Sequence, residues 1–307
     1  MYVSKDKIAE VFGGFAALPK HLLRNILFAT DFSSCSEAAL TYAIGLSRRY
    51  DSLLNIVSVV PAEICDNAQP PDPFYFRHSA ENKMANLVAS ELFHGIKHQE
   101  LVTEGEGGVS QVLSKLMQKL ETDLVVLGTH GRGGVKKLLL GSVAEEIVYS
   151  APCPVLTAGP CASPKPIPEL KLGRILYATD LLPGSAKALA YALWLAEHEH
   201  AHLTLLHILK MAADVPLEYP EAERDIAMKR LQQLLSSEAS LSEESEFIVE
   251  VGAPAEHILK VAKGQGADLI VMGPHHTFHP SISVHLPWVT PHQVLCHARC
   301  PVLTVRG

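Results

Sequence analysis

Read as a pattern of apolar and polar positions, the chain alternates short apolar runs with segments of helical period. Ile26 to Ala29, Leu53 to Val60, Leu124 to Leu127 and Val155 to Thr157 are four-to-eight-residue apolar runs of the kind that form buried strands, and His98 to Glu104 can supply a further one. Between them lie helical stripes. Leu40, Ala43, Ile44 and Ser47 share one face, Met84, Leu87, Val88 and Leu92 another, and Val109, Val112, Leu113, Leu116, Met117 and Leu120 form the clearest amphipathic helix. Ser34-Cys35-Ser36-Glu37 has the spacing of a capping box at the start of the first helix. Strands that alternate with helices predict βαβ units around a parallel sheet, and right-handed crossovers make that sheet doubly wound, with helices on both faces.

The pattern occurs twice. RNILFATDFS, from Arg24 to Ser33, returns as RILYATDLL, from Arg174 to Leu182. DLVVLG at 123–128 returns as DLIVMG at 268–273, and APCPVLT at 151–157 as ARCPVLT at 298–304, with offsets of 149, 145 and 147 residues in chain order. The second half continues the repeat with Leu203 to Leu209, Phe247 to Val251, Ile258 to Ala262, Leu269 to Met272 and Val302 to Val305. Between the copies GPCASPKPIPEL, rich in proline, reads as a stiff exposed linker. The expected organisation is one domain over 1–158, a linker over 159–171 and a second domain over 172–307.

Composition narrows the class. At 307 residues, 48% of them hydrophobic and 19% charged, the chain suits two ordinary globular domains. A net charge of -7 disfavours a dedicated nucleic-acid binder, which needs a basic face to displace counterions from phosphates. No apolar stretch approaches a membrane span, and the first residues lack the pattern of a signal peptide, so a cytoplasmic location and no membrane partner are expected. Six cysteines without a CxxC spacing read as reduced thiols.

The chemistry concentrates in LVVLGTHGRGGVKKLLLGSV, from Leu124 to Val143. Gly128 ends a strand, a glycine-rich loop follows, and Gly141-Ser142 opens a helix through Val143, Ile147 and Val148. Glycines let backbone N–H groups approach a ligand, and a helix N-terminus adds donors and partial positive charge. Arg132, Lys136 and Lys137 add cations in a chain that is acidic overall, so the loop reads as a cradle for a phosphorylated small molecule. A Walker A loop is excluded, since no Gly-Lys pair occurs, and the first strand runs into Ala29-Thr30-Asp31 without the GxGxxG of a dinucleotide fold.

The spacing Gly128-x2-Gly131-x9-Gly141-Ser142 is similar to the ATP-binding signature of the universal stress protein family, and ILFATDFS resembles that family's opening strand. The resemblance covers about 24–158 and 172–306, as in a tandem member. It implies two five-stranded, Rossmann-like sheets of the adenine nucleotide alpha hydrolase-like type, with ATP and its magnesium bound by motif-bearing halves. By the same resemblance Ala29, Thr30 and Asp31 lie against the nucleoside and Val59 meets the adenine. Gly128, Gly131, Gly141, Ser142 and Val143 hold ribose and phosphates, with Arg132 near the phosphate tail. Asp31 has another use open to it, as a helix N-cap, and Val59 as a plain strand residue.

The second copy departs from the motif. Its loop reads GPHHTFHPSISVHLPWVTPHQVL from Gly273, with His276 where Gly131 stands, no Gly-Ser pair, and Pro274, Pro280, Pro287 and Pro291 removing backbone donors. One main ATP site, in the amino-terminal half, is therefore expected, while Asp180 and His207-Ile208 persist at the counterpart strand ends. His275, His276, His279, His285, His292 and His297, with Cys296 and Cys300, offer metal-ligand chemistry, but their spacing is irregular and no metal site is assigned. His198, His200 and His202 are expected in solvent at a helix end. His130 is assigned no catalytic role. Without a placed base or a Walker-type serine and aspartate, slow hydrolysis is the most expected of the loop; the resemblance implies a nucleotide-dependent stress-response regulator, the alternatives being a slow ATPase or nucleotide-processing enzyme that uses the same phosphate loop, or a ligand-free interaction module. The apolar strands Pro154 to Ala158 and Pro301 to Val305 present edges that, in the family, pair copies, so the two halves are expected to pair within the chain and the chain to form a homo-oligomer.

Overall fold

The structure is a computed structural model and describes residues 23–61, 73–105, 107–130, 140–162, 170–210, 220–235, 245–273 and 289–307. These fall into two compact units, one within His21–Leu170 and one within Lys171–Gly307.

The first unit runs β1 (Asn25–Ala29), α1 (Ser34–Tyr50), β2 (Leu53–Pro61), α2 (Pro73–Val88), β3 (His98–Gly105), α3 (Val109–Lys119), β4 (Leu124–Gly128), α4 (Ser142–Ser150) and β5 (Val155–Ala158). All its strands are parallel, in the order β3-β2-β1-β4-β5. The second unit runs β6 (Arg174–Thr179), α5 (Ala186–Glu199), β7 (His202–Leu209), α6 (Pro220–Leu234), β8 (Glu246–Val251), α7 (Pro254–Gln265), β9 (Leu269–Met272), α8 (Val289–His297) and β10 (Val302–Thr304). Its strands repeat the arrangement as β8-β7-β6-β9-β10, again all parallel. Each unit is therefore the doubly wound α/β sheet that the repeated pattern predicts.

Helices on both faces explain why the central strands carry no polar alternation. Ile26, Leu27 and Phe28 of β1 are buried, as are Ile175, Leu176 and Tyr177 of β6. Small residues let the helices approach the sheet: Ala39 and Ala43 face inward from α1, and Ala188 and Ala192 from α5. Both of these helices stop on a left-handed residue, Asp51 (φ 52°) and His200 (φ 50°), whose N–H returns to Ser47 and Ala196. His198, His200 and His202 are exposed, as expected, and His198 stacks on Trp194 with ring centroids 4.3 Å apart.

Two sequence expectations shift by a turn or less. The N-cap of α1 is Ser33 rather than Ser34, because Ser33 holds the extended conformation (φ -83°, ψ 164°) and its hydroxyl accepts the Ser36 N–H. Leu92 leaves the stripe of α2, which ends at Val88, and sits 42% exposed in a short 3-10 turn.

A pair of aspartates shows how deeply the two units repeat. Just before β4, Asp123 Oδ2 accepts the N–H groups of Arg24 (2.8 Å) and Asn25 (2.9 Å), fixing the start of β1. Just before β9, Asp268 Oδ2 accepts the Arg174 N–H at 3.0 Å, at the start of β6. Charge-assisted bonds of this kind contribute about 1.5–3 kcal/mol. Asp123→Ala is expected to destabilise the first unit, and Asp268→Ala the second, each by about 2 kcal/mol; urea denaturation of each variant checks this.

In the second unit Glu250 of β8 lies 2.5 Å from His257 Nδ1 of α7 and 3.8 Å from Lys260. The His257 ring fills the space above Gly252, where a Cβ would overlap it and where φ is +146°, so only glycine fits. The hydrogen bond from His257, aided by the charges of Lys260 and Arg224 and opposed by burial, holds the Glu250 carboxyl below its ordinary value. A depressed carboxylate contributes stability above its ordinary pKa and loses that contribution as pH falls through the folded value. The stability gap between the parent chain and Glu250→Gln is thus expected to be full at about pH 6 and to shrink as pH falls through the lowered folded value, read from denaturation midpoints across pH.

Candidate functional site

In a doubly wound sheet, a crevice opens beyond the carboxyl ends of the strands where the order reverses, because the crossovers leave there toward opposite faces. In the first unit those strands are β1 and β4. Ala29, Thr30 and Asp31 leave one side of the crevice, and Gly128, Thr129 and His130 leave the other.

The turn after β1 is built from its own side chains. The Thr30 hydroxyl is buried, accepts the Phe32 N–H at 2.9 Å and lies 3.1 Å from the Ser36 hydroxyl. Asp31 Oδ1 accepts the Ser33 N–H at 3.0 Å. Asp31 is therefore not the N-cap; it shapes the turn, while Ser33 caps the helix. These bonds hold Phe32 in the left-handed region, at φ 60°, where a bulky residue is strained. The second unit repeats the device after β6: Thr179 and Asp180 accept the N–H groups of Leu181 and Leu182, each at 3.0 Å, and Leu181 has φ 61°. A strained residue conserved in geometry between the two copies fixes where the aspartate stands.

Gly128 is fixed by packing. A Cβ there would stand 2.8 Å from the carbonyl carbon and oxygen of Cys35 and 2.9 Å from the Ser36 nitrogen, so the end of β4 touches the backbone at the start of α1. Thr129, fully buried, then donates its N–H to the Ala158 carbonyl (3.0 Å) and accepts the Gly141 N–H on its own carbonyl (2.8 Å). Its hydroxyl lies 2.8 Å from His130 Nδ1. The excursion from His130 to Leu140 is thereby closed at its base, which sets the start of α4 beside the end of β4. Gly141 caps α4 in extended conformation (φ -65°, ψ 142°) with no side chain to engage the first N–H groups. Ser142 is exposed and Val143 half-buried at that helix start. Gly131 and Arg132, with Lys136 and Lys137, lie outside the described residues.

Val59 stands on β2 two positions beyond Val57, the partner of Ala29, and pairs with Thr103. It is half-buried and packs on Gly105, where a Cβ would stand 3.1 Å from Val59 Cγ1. Ala29, Thr30, Asp31, Gly128, Gly141 and Ser142 thus gather at the strand-order switch, and Val59 lies at the same end of the sheet, one strand away.

The sequence patterns pass over Cys35 and Thr129. Burial, and then the negative charge of Asp31, push the Cys35 thiol up against the opposing pull of the His130 backbone, so Cys35 stays a neutral thiol and not a nucleophile. Among the described residues no group of three or more His, Cys, Asp or Glu could hold a metal ion. Cys296 and Cys300 are buried and in no disulfide, and His297 Nδ1 is 2.8 Å from the Gln293 carbonyl. His275, His276, His279 and His285 lie outside the described residues, as do Pro274, Pro280 and Pro287. No helix among the described residues is long and apolar enough to cross a membrane.

A tandem pair of doubly wound α/β units, each with a threonine-aspartate turn at its strand-order switch, defines the class of this protein. The universal stress protein family matches residues 23–158 and again 171–306, and the chain belongs to that family of stress-response proteins. A universal stress protein of Staphylococcus aureus (strain USA300) is 32% identical over 136 residues, covering 43% of this chain and 82% of the relative. Among solved structures, a universal stress protein from Archaeoglobus fulgidus DSM 4304 is similar with a TM-score of 0.67 and 19% identity, over 93% of this chain and 98% of that one. A universal stress protein from Pseudomonas aeruginosa UCBPP-PA14 has a TM-score of 0.61 and 18% identity, over 92% and 93%. At these identities the two structures share the fold.

Proposed function

We propose that the chain is an ATP-binding stress-response regulator with one main site, the β1–β4 crevice of the amino-terminal half. The observation that carries this reading is the base of the excursion: Gly141 is tied to Thr129 at 2.8 Å and opens a helix whose first N–H groups carry no side-chain cap. Such a helix start, beside a strand-order switch, is suited to an anion.

In this reading Asp31, Thr30 and Ala29 meet the nucleoside and Val59 the adenine. Gly128, Gly131, Gly141, Ser142 and Val143 hold the ribose and phosphates, Arg132 faces the phosphate tail, and magnesium enters with ATP. Binding to the folded state alone adds stability, and that gain couples ATP to assembly as a homo-oligomer or to the choice of partner. At one hundred times the dissociation constant the gain is about 2.7 kcal/mol. Chemical denaturation with and without magnesium-ATP tests the reading: a midpoint that rises with nucleotide supports it, and one that does not respond at any concentration rejects it.

A further inference from the structure

The second unit has a crevice of its own at the counterpart position, and its walls are of a different kind. Beyond the ends of β6, β7 and β9 lies a pocket of about 140 Å³. Ala178, Ile208, Ile258 and Met272 give it an apolar lining, and Asp180 and Lys210 both reach it. The four apolar residues are buried, whereas Lys210 is exposed.

Size decides the first question. Sites for drug-sized ligands and cofactors occupy about 300–1,000 Å³, whereas an apolar cavity of about 150 Å³ accepts one benzene-sized molecule. The enclosed part of the pocket suits a single ring or a short branched chain.

Charge decides the second. The repeat aligns Ile26 with Ile175, and their strand partners Leu54 and Leu203 carry the alignment onto β2 and β7. On that register Ile208 corresponds to Val59 and Lys210 to Pro61. Lys210 is thus a cation that the first unit lacks, and among the described residues it has no ion-pair partner. Asp180 is already engaged: its Oδ1 accepts the Leu182 N–H at 3.0 Å and the Ser185 hydroxyl at 2.6 Å, as part of the turn after β6. The pocket therefore offers an apolar bed, a lysine with no ion-pair partner among the described residues, and a carboxylate held by its own turn.

We infer that the carboxyl-terminal half binds a small organic monocarboxylate, its apolar body no larger than one six-membered ring and its carboxylate paired with Lys210. The two halves of the chain then read two different ligands. The inference stands on the second unit alone and does not depend on ATP binding in the first.

The test is calorimetry on the full chain with benzoate and with 4-methylpentanoate, against neutral benzyl alcohol, with magnesium-ATP both absent and present. Both carboxylates are expected to bind once per chain, about tenfold more tightly than the alcohol, and equally well with magnesium-ATP present. Lys210→Met should weaken them by about five- to tenfold and leave magnesium-ATP binding unchanged, while Lys210→Arg retains most of the affinity. Lys210 is exposed, so neither substitution threatens the fold, and circular dichroism of each variant verifies that. No carboxylate binding at about 10 mM, unchanged affinity in Lys210→Met, or displacement by magnesium-ATP would each overturn the inference.

Discussion

Gly131→His is expected to abolish magnesium-ATP binding, a loss of at least about 100-fold in affinity, or about 2.7 kcal/mol. The substitution writes into the first half the residue that stands at the counterpart position of the second, His276. In the proposed cradle the backbone must come within hydrogen-bonding distance of phosphate oxygens, and an imidazole at Gly131 takes the volume those oxygens need. Position 131 belongs to none of the described strands or helices, β4 ending at Gly128 and α4 starting at Ser142, so the nucleotide-free variant should unfold at the same denaturant midpoint as the parent. Loss of binding with stability retained is what separates a damaged cradle from a damaged fold. Unchanged affinity by calorimetry sinks the cradle.

Gly128→Ala has the second large effect, and it is on stability. Its Cβ would land 2.8 Å from the Cys35 carbonyl, on the backbone rather than on the far end of a flexible side chain, so either α1 or β4 must move. Overpacking of this kind costs about 1–3 kcal/mol, and the upper end is expected here because backbone has least room to give. Gly273→Ala is the internal control: its Cβ would meet the Ser185 Cα at 3.3 Å and the Gly184 carbonyl at 3.4 Å, a contact that small adjustments relieve, for a cost below about 1 kcal/mol. Urea denaturation of the two variants checks the ranking, and equal effects would mean that the start of α1 yields as readily as that of α5.

The same contact shows what a sequence can carry and what it cannot. Strand positions were legible because a strand covered on both faces must be apolar throughout: the run Ile26 to Ala29 became Asn25–Ala29, and Leu53 to Val60 became Leu53–Pro61. The tandem architecture was legible from three repeated segments kept in order. The gathering of Asp31, Gly128 and Gly141 at one crevice followed from topology, since the ends of β1 and β4 are neighbours in any sheet of this winding.

Less legible were features decided by dihedral angles or by contacts distant in the chain. Ser33 and Ser34 are equally good caps on paper, and only the extended conformation of Ser33 distinguishes them. The glycine at 128 reads as a ligand position, while the packing of α1 against it brings together residues far apart in sequence. Asp123, which ties β1 to the approach of β4, reads in the sequence only as the first residue of a repeated segment. Lys210 reads as an ordinary surface lysine until the register of β7 against β6 sets it at the lip of an apolar pocket.

One measurement tests the central claim most directly. The protein is purified without added nucleotide, incubated with magnesium-ATP, freed of excess, denatured, and its released small molecules identified and counted by chromatography and mass spectrometry. Close to one ATP per chain is the predicted result, and its loss in Gly131→His would assign it to the amino-terminal half. No nucleotide, or close to two per chain, would contradict the account: the first would remove the site, and the second would give the carboxyl-terminal crevice a ligand whose glycine motif its sequence lacks.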